Sequence, residues 1–486
     1  MIILRTASAL VEHIAARFRG SVHQITLPLR FSERKILLYF TDTIAVLTAL
    51  LVVLAWRFDL PFGWPTLASH PQWFLLLVGI WAVAALLLDT YNLQHASRIQ
   101  TGMITGAGTA AVAALFYLAI PYVTPPLHTS RLTAAAFLGT AVVFVGALRA
   151  AYAALLVQPT FRHRAVIVGA GWTGQTVVQA IREYAATEYD LVGFIDDDPA
   201  KVGTILAEIP VLGTHRDLRR VINRYRVSEL ILAISHQETM SSALLKACLT
   251  CHEQGIQVTL MPALYERLTG RVPVEHAGQA LHVVLPGDRA IARGYLMVKR
   301  FMDVVIGLVG TILMLSLLPL VAFGQALDSP GPIFYRQRRV GRGGREFMLL
   351  KYRTMIPDAE TDGPRWTQED DDRVTRVGRV LRRLHLDELP QAINILRGDM
   401  SFIGPRPERP EFVAHLEKQI PFYRARHAVR PGVTGWAQVN YEYGDSVEDA
   451  LIKLQYDLYY IKHANLWLDL VILARTVGHV LRFAGR

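Results

Sequence analysis

The sequence predicts a membrane protein of mixed α/β class, with a four-helix transmembrane bundle, a Rossmann-like domain, a re-entrant membrane helix and a mainly helical C-terminal region. Three observations carry that prediction. First, 52% of the 486 residues are hydrophobic, and four apolar runs, uncharged except for Asp42 in the first, stand at 36–56, 73–88, 103–123 and 132–148. A spanning helix needs about 20 residues, so the first and third runs suffice alone and the second and fourth with their flanks. Second, strand and helix signals alternate from about residue 164. Third, an apolar stretch at 304–327 carries basic residues on both sides.

Basic residues in short flanks set orientation. Arg5, Arg17, Arg19, Arg30, Arg34 and Lys35 precede the first run, and Arg149, Arg162 and Arg164 follow the fourth. Both ends of the bundle are therefore expected on the cytoplasmic side, with Arg98 in the inward loop and little beyond Arg57 and Arg131 outside. Trp56, Trp64 and Trp73 cluster at the expected outer interface, where amphipathic rings settle. Glu12, His13 and Arg17 interrupt any signal-peptide core. A buried soluble helix is the competing reading of 73–88.

The net charge of +10 suits an anionic leaflet and anionic substrates. No nucleic-acid reading motif accompanies it. Cys248 and Cys251 form C-x-x-C within a helical pattern, with neither a second pair nor a preceding strand. They read as buried thiols in a reducing compartment rather than a redox or metal site.

In AVIVGAGWTGQTVVQAI a strand, a glycine turn and a helix follow one another, so Gly169, Gly171 and Gly174 satisfy G-x-G-x-x-G in context. Asp196 ends a second strand at the distance of a ribose-binding acid. The pattern admits a nucleotide or nucleotide-sugar site, an NAD site, or a tight turn in a spacer. The acidic triplet 196–198 before Pro199 reads as a solvated turn.

The stretch 304–327 is long enough to cross, but Lys299 and Arg300 lie before it and Arg336, Arg338, Arg339 and Arg342 after it, so both flanks carry the inside signal. A segment whose ends favour one side is expected to turn back. Pro319 removes a helix hydrogen bond, and Ser316 offers a hydroxyl for a freed carbonyl. A straight spanning helix is the alternative. At 467–481, Asp469 and Arg475 disfavour another span.

At 382–407 the adjacent acids Asp387 and Glu388 precede Pro390 and an apolar helical run. The plain reading makes Asp387 a helix cap with Pro390 in the first turn. Arg382, Arg383, Arg397, Arg406 and Arg409 crowd the flanks, and the arginine fork matches phosphate oxygens. Neighbouring helical residues diverge by about 100°, so one carboxylate could face a reacting phosphorus while the other holds Mg²⁺, which prefers oxygen ligands.

DSPGPIFYRQRRVG, KYRTM, LDELPQ, RGDMSFIGPRP and RPGVTGWAQVN follow one another in this order between about residue 299 and the C-terminus. In these motifs the chain resembles the bacterial sugar transferase family, monotopic polyprenyl-phosphate phosphoglycosyl transferases, and its layout resembles the large subgroup with four spans and a Rossmann-like domain. Relatives usually place the helix-breaking Pro directly after a Ser and a few residues earlier, whereas Leu317 and Leu318 separate Ser316 from Pro319 here. The resemblance implies transfer of a sugar 1-phosphate from a UDP-sugar to undecaprenyl phosphate with release of UMP, at the start of exopolysaccharide, capsule or O-antigen synthesis. It implies Asp387 as nucleophile, Glu388 as ligand of the cofactor Mg²⁺, and Arg382, Arg406 and Arg430 as phosphate clamps. Lys351, Arg353 and Asp469 match further substrate positions. Individually such arginines are more often surface charges. The implied location is the bacterial inner membrane with the catalytic domain on its cytoplasmic face, in contact with lipid and, as homo-oligomer or otherwise, with polysaccharide assembly proteins.

The expected domains are 1–158 with four spans, 159–285 Rossmann-like, 286–327 linker and re-entrant helix, and 328–486 catalytic. Two rival functions are weighed. A membrane-anchored nucleotide-sugar dehydratase or epimerase needs Tyr-x-x-x-Lys, which Tyr295 and Lys299 supply, but also a second glycine fingerprint, which is lacking. A non-catalytic scaffold that senses nucleotide sugars would not need the dyad and its arginines. The acidic run 369–372 reads as a solvated loop rather than a D-x-D metal site, and His385 is given no proton-transfer role.

Overall fold

A computed structural model of the protein describes residues 31–155, 162–234, 240–276, 283, 293–357, 359, 371–441, 444 and 446–481. Two compact units divide the chain, Met1–Met261 and Pro262–Arg486. The basic residues at positions 5, 17, 19 and 30 and the acids at 369 and 370 lie outside the described residues.

In the first unit the apolar runs become α1 (Phe31–Phe58), α2 (Pro71–Leu87), α3 (Ile99–Leu118) and α4 (Arg131–Leu155). By length and composition α1, α3 and α4 can cross a membrane. At 17 residues, α2 is about 26 Å long, a little under the roughly 30 Å hydrocarbon core. Ala49, Leu50, Leu77, Trp81, Ala113, Ala114, Phe137 and Ala141 pack between the helices, while Ile36, Phe40, Ile44, Leu75 and Val143 remain exposed. Inside the bundle Arg149 donates to Asp42 Oδ2 at 2.5 and 3.0 Å. Gly106 makes room, because a Cβ there would stand 2.9 Å from Arg149 Cγ.

The same unit carries a six-stranded sheet, β1 (His163–Val168), β2 (Tyr189–Ile195), β3 (Ile205–Leu206), β4 (Ile209–Gly213), β5 (Glu229–Leu232) and β6 (Gln257–Leu260), in the order β3-β4-β2-β1-β5-β6. All pairs are parallel except β3 with β4. With helix α5 (Trp172–Tyr184) following β1, this is the Rossmann-like arrangement expected. Cys248 and Cys251 are buried free thiols.

The second unit begins earlier than expected. Residues assigned from sequence to the Rossmann-like domain pack into it: Val272 and Val274 join the core of Val413, Leu454, Leu458 and Ile472, and Trp436 Nε1 donates to Gly270 O at 2.9 Å. The boundary expected near 285 therefore falls at 261. Helix α6 (Arg293–Asp328) leads into an antiparallel hairpin, β7 (Phe334–Val340) and β8 (Glu346–Tyr352), which pairs Tyr335 with Lys351. Next come α7 (Arg376–Arg383), α8 (Gln391–Arg397), strand β9 (Ser401–Ile403), α9 (Pro410–Gln419), strand β10 (Gly432–Thr434) parallel to β9, α10 (Val447–His463) and α11 (Leu466–Leu481).

Helix α6 departs from the sequence expectation in the Ser316 contact. It runs as one 36-residue helix through Pro319, and the Ser316 hydroxyl donates to Ile312 O at 2.9 Å, not to the Leu315 carbonyl that the proline leaves without its usual donor. One face is tied to the second unit along the whole length. Arg300 donates to Ile395 O and Leu396 O, both at 2.8 Å. Asp303 accepts from Ser401 Oγ and Phe402 N, both at 2.9 Å. Met314 O accepts from Tyr352 Oη, Gln325 donates to Arg353 O, and Asp328 accepts from Val377 N. The other face, with Met297, Phe301, Ile312, Leu320, Phe323 and Leu327, is exposed and apolar.

Candidate active site

Asp387 and Glu388 lie on a short 3₁₀ turn, Leu386–Glu388, entered through His385 in the left-handed region at φ 54°. The expected capping role is not found. Pro390 occupies the N-cap of α8, and no side chain caps that helix. Asp387 is thereby left without a backbone duty, and it accepts no hydrogen bond among the described residues.

Strand β8 brings Lys351 to the dyad. Its Nζ lies 2.7 Å from Glu388 Oε1 and 3.9 Å from Asp387 Oδ2. Arg406 Nη2 donates to the same Glu388 oxygen at 3.2 Å. Arg382, at the end of α7, donates to Thr354 Oγ1 at 2.9 Å, and its positive charge is close enough to favour the ionised Asp387 carboxylate. Burial pushes the Asp387 carboxyl up; Lys351 opposes this and the Glu388 charge adds to it. For Glu388 burial acts the same way, but Lys351 and Arg406 outweigh it and hold the carboxyl far below the ordinary range. Two adjacent acids are thus split into a fixed anion and a more basic carboxylate.

Glu388 fits a shared magnesium site. Both basic partners bond to Oε1, so Oε2 receives no hydrogen bond from a described residue. Among the described residues no group of three or more His, Cys, Asp or Glu forms a cage. Mg²⁺ is typically bound by one or two carboxylates with substrate phosphates and water, which this donor set can match.

Three expected site residues stand apart. Arg353 is buried and spends its guanidinium on Pro332 O, Ser329 Oγ, Ser329 O and Met355 O at 2.5–3.2 Å, closing the end of α6 onto β8. Asp469 is 1% exposed and accepts from Tyr295 Oη, Lys299 Nζ and Tyr460 Oη at 2.9–3.1 Å. That cluster also engages Tyr295 and Lys299, the two residues that a dehydratase reading required. Arg430 Nη2 lies beside Gly398, at the opposite end of α8 from the dyad.

Sequence reasoning passed over Asn394. It is fully buried, and its carboxamide donates to Met348 O at 2.8 Å and accepts from Leu350 N at 3.1 Å. It serves β8 as a neighbouring strand would and fixes the strand bearing Lys351 to the helix behind the dyad. The available signal was a polar residue in the apolar run of α8.

In the first unit, Gly169 has φ +105° and a Cβ there would meet Ala233 O at 2.7 Å; a Cβ on Gly174 would meet Gly169 O at 2.0 Å. Gly171 faces open space. Asp196 is already engaged, accepting from Ala170 N and Lys201 Nζ on Oδ2 and from Asp198 N on Oδ1. Two of the three glycines thus have a packing reason, and the acid holds the turn itself.

Residues 294–483 match the family described as bacterial sugar transferase, and residues 86–262 match one described as a CoA-binding domain. A UDP-N-acetylgalactosamine-undecaprenyl-phosphate N-acetylgalactosaminephosphotransferase of Aeromonas hydrophila is 37% identical over 63% of this chain and 69% of its own length. This chain belongs to the bacterial sugar transferase family. Another relative of this sugar transferase, a UDP-glucose:undecaprenyl-phosphate glucose-1-phosphate transferase of Xanthomonas campestris pv. campestris, is 34% identical over 64% of this chain and 62% of its own. A protein of the same description from Caulobacter vibrioides is 46% identical over 38% of this chain and 69% of its own.

Proposed function

We propose that this sugar transferase moves a sugar 1-phosphate from a UDP-sugar to undecaprenyl phosphate as the first membrane step of exopolysaccharide, capsule or O-antigen synthesis. The observation that carries the reading is the buried Asp387, which accepts no hydrogen bond from a described residue, beside a Glu388 held anionic by Lys351 and Arg406.

The Asp387 carboxylate attacks the phosphorus that bears the sugar. The bond from that phosphorus to the bridging oxygen breaks, the electron pair leaves with UMP, and an aspartyl phosphosugar forms. An oxygen of undecaprenyl phosphate then attacks the same phosphorus and displaces the carboxylate, giving the lipid diphosphate sugar. A carboxylate nucleophile divides one difficult displacement into two, and catalysis rests on positioning and charge neutralisation. Lys351, Arg406 and Arg382 supply positive charge around the diphosphate, and Glu388 would hold Mg²⁺, whose charge neutralises the diphosphate and the departing nucleotide.

Helix α6 is read as re-entrant, entering and leaving on the cytoplasmic face. Its support is the series of hydrogen bonds from Arg300 to Asp328 into the second unit, with an exposed apolar stripe opposite. The enzyme is assigned to the bacterial inner membrane.

The deciding experiment supplies purified protein with undecaprenyl phosphate, Mg²⁺ and a panel of UDP-sugars labelled in the sugar. UMP release matched by label in lipid is expected for at least one sugar. UMP release without lipid labelling, or no release from any sugar, overturns the proposal.

A further inference from the structure

Arg406 reaches Glu388 from a segment, 404–408, that belongs to no helix or strand. A loop of this kind holds a long side chain only if its backbone is fixed. Here every carbonyl from Pro405 to Glu408 has a partner. Gly432 N donates to Pro405 O at 2.8 Å and Val340 N to Glu408 O at 2.9 Å. Arg339 Nη1 donates to Pro407 O at 3.0 Å. The carbonyl of Arg406 itself accepts from Arg426 Nη2 at 3.0 Å. Pro405 and Pro407 fix φ on both sides of Arg406 and have no N–H of their own to satisfy.

Arg426 is itself held from two directions. It is buried, donates from Nη1 to Tyr423 Oη at 2.6 Å, and pairs with Asp457 at 2.8 Å. Asp457, on α10, is 1% exposed. A buried ion pair is weak evidence for stability, because desolvation consumes most of the attraction. It does fix geometry, and here one fork spans a phenol, a carboxylate and the backbone of an active-site residue.

We infer that Arg426, anchored by Asp457 and Tyr423, is the positioning residue that holds the Arg406 backbone so that its guanidinium meets Glu388. The inference rests on the proposed transferase reaction. Lysine at 426 keeps the charge opposite Asp457 but has no planar fork to serve three partners at once.

The test is a double-mutant cycle on the full-length enzyme with Arg426→Lys, Arg406→Gln and both. The measurements are kcat and KM for UMP release. Arg426→Lys is expected to lose about tenfold, and the double variant to match Arg406→Gln within about twofold. Because Arg406 stands at the dyad, donating to Glu388 Oε1, both single variants should raise KM for the UDP-sugar by a similar factor. Multiplying losses, or an unmoved KM in Arg426→Lys, would make Arg426 a general structural residue and overturn the inference while leaving the reaction intact. Tyr423→Phe, which removes one anchor and keeps the ion pair, provides the same cycle if Arg426→Lys does not accumulate; its expected loss is smaller and equally non-additive with Arg406→Gln. An unmutated enzyme that turns over no UDP-sugar overturns the transferase reading, and this inference with it.

Discussion

Asn394→Ala gives the sharpest test of how the site is assembled. The truncation leaves the Met348 carbonyl and the Leu350 amide without the carboxamide that pairs them at 2.8 and 3.1 Å. An unsatisfied buried backbone group costs about 1–3 kcal/mol. Two such groups give about 2–6, and because Met348 is half exposed the lower part of the range applies, about 3 kcal/mol. At about 1.4 kcal/mol per factor of ten, amide exchange at Leu350 should accelerate by roughly a hundredfold. Lys351 is the next residue on the strand, and a displacement of about 1 Å suffices to cost about a hundredfold in rate, so UMP release should fall at least tenfold. The assay is hydrogen exchange on the β8 peptide alongside turnover. Leu350 exchange within about threefold of the unmutated protein, with unchanged turnover, would refute the claim that this side chain carries the strand.

Asp387→Asn should abolish transfer while the midpoint of thermal unfolding stays level or rises, since burial of that carboxylate is unfavourable; wild-type release of UMP would remove it as nucleophile. The rate should fall on acidification through a raised Asp387 value, because the protonated acid cannot attack. Lys351 opposes that upward push, so Lys351→Gln should move the acid limb to higher pH in a rate profile. Arg353→Ala should reduce the amount of membrane-inserted enzyme and leave KM in the surviving fraction unchanged, because among the described residues its donors serve Ser329, Pro332 and Met355; a selective rise in KM for the UDP-sugar would return it to the substrate site. In a background lacking Cys248 and Cys251, Arg293→Cys and Arg342→Cys should both resist an impermeant thiol reagent in intact cells and react after lysis, whereas outside labelling of position 342 would show that α6 crosses.

The chemistry-bearing stretch was legible because it is local. Asp387, Glu388 and the flanking arginines sit within one run of sequence, and charge beside an apolar helix is visible without coordinates. Lys351 and Arg406 were legible as residue types in motifs. Their meeting on one oxygen of Glu388 was not, because it depends on a hairpin register and on how the 404–408 segment is held. The same limit explains Arg353 and Asp469. A basic or acidic residue in a motif reads as a ligand until its partners are known, and here the partners are backbone carbonyls in one case and two tyrosines and a lysine in the other.

By itself the sequence determined the apolar runs, the buried strand and helix around a glycine turn, and the acidic dyad, since each depends on the local order of residues along the chain. Tertiary structure alone decided which charges remain for chemistry. Arg353, Arg426, Asp303 and Asp469 are drawn into buried contacts that satisfy otherwise unpaired groups. Asp387 accepts no hydrogen bond from a described residue, because Pro390 caps the following helix and the 3₁₀ turn assigns the carboxylate no backbone donor. Free energy consumes polar groups wherever burial would leave them unpaired, and that accounting is settled among residues far apart in sequence.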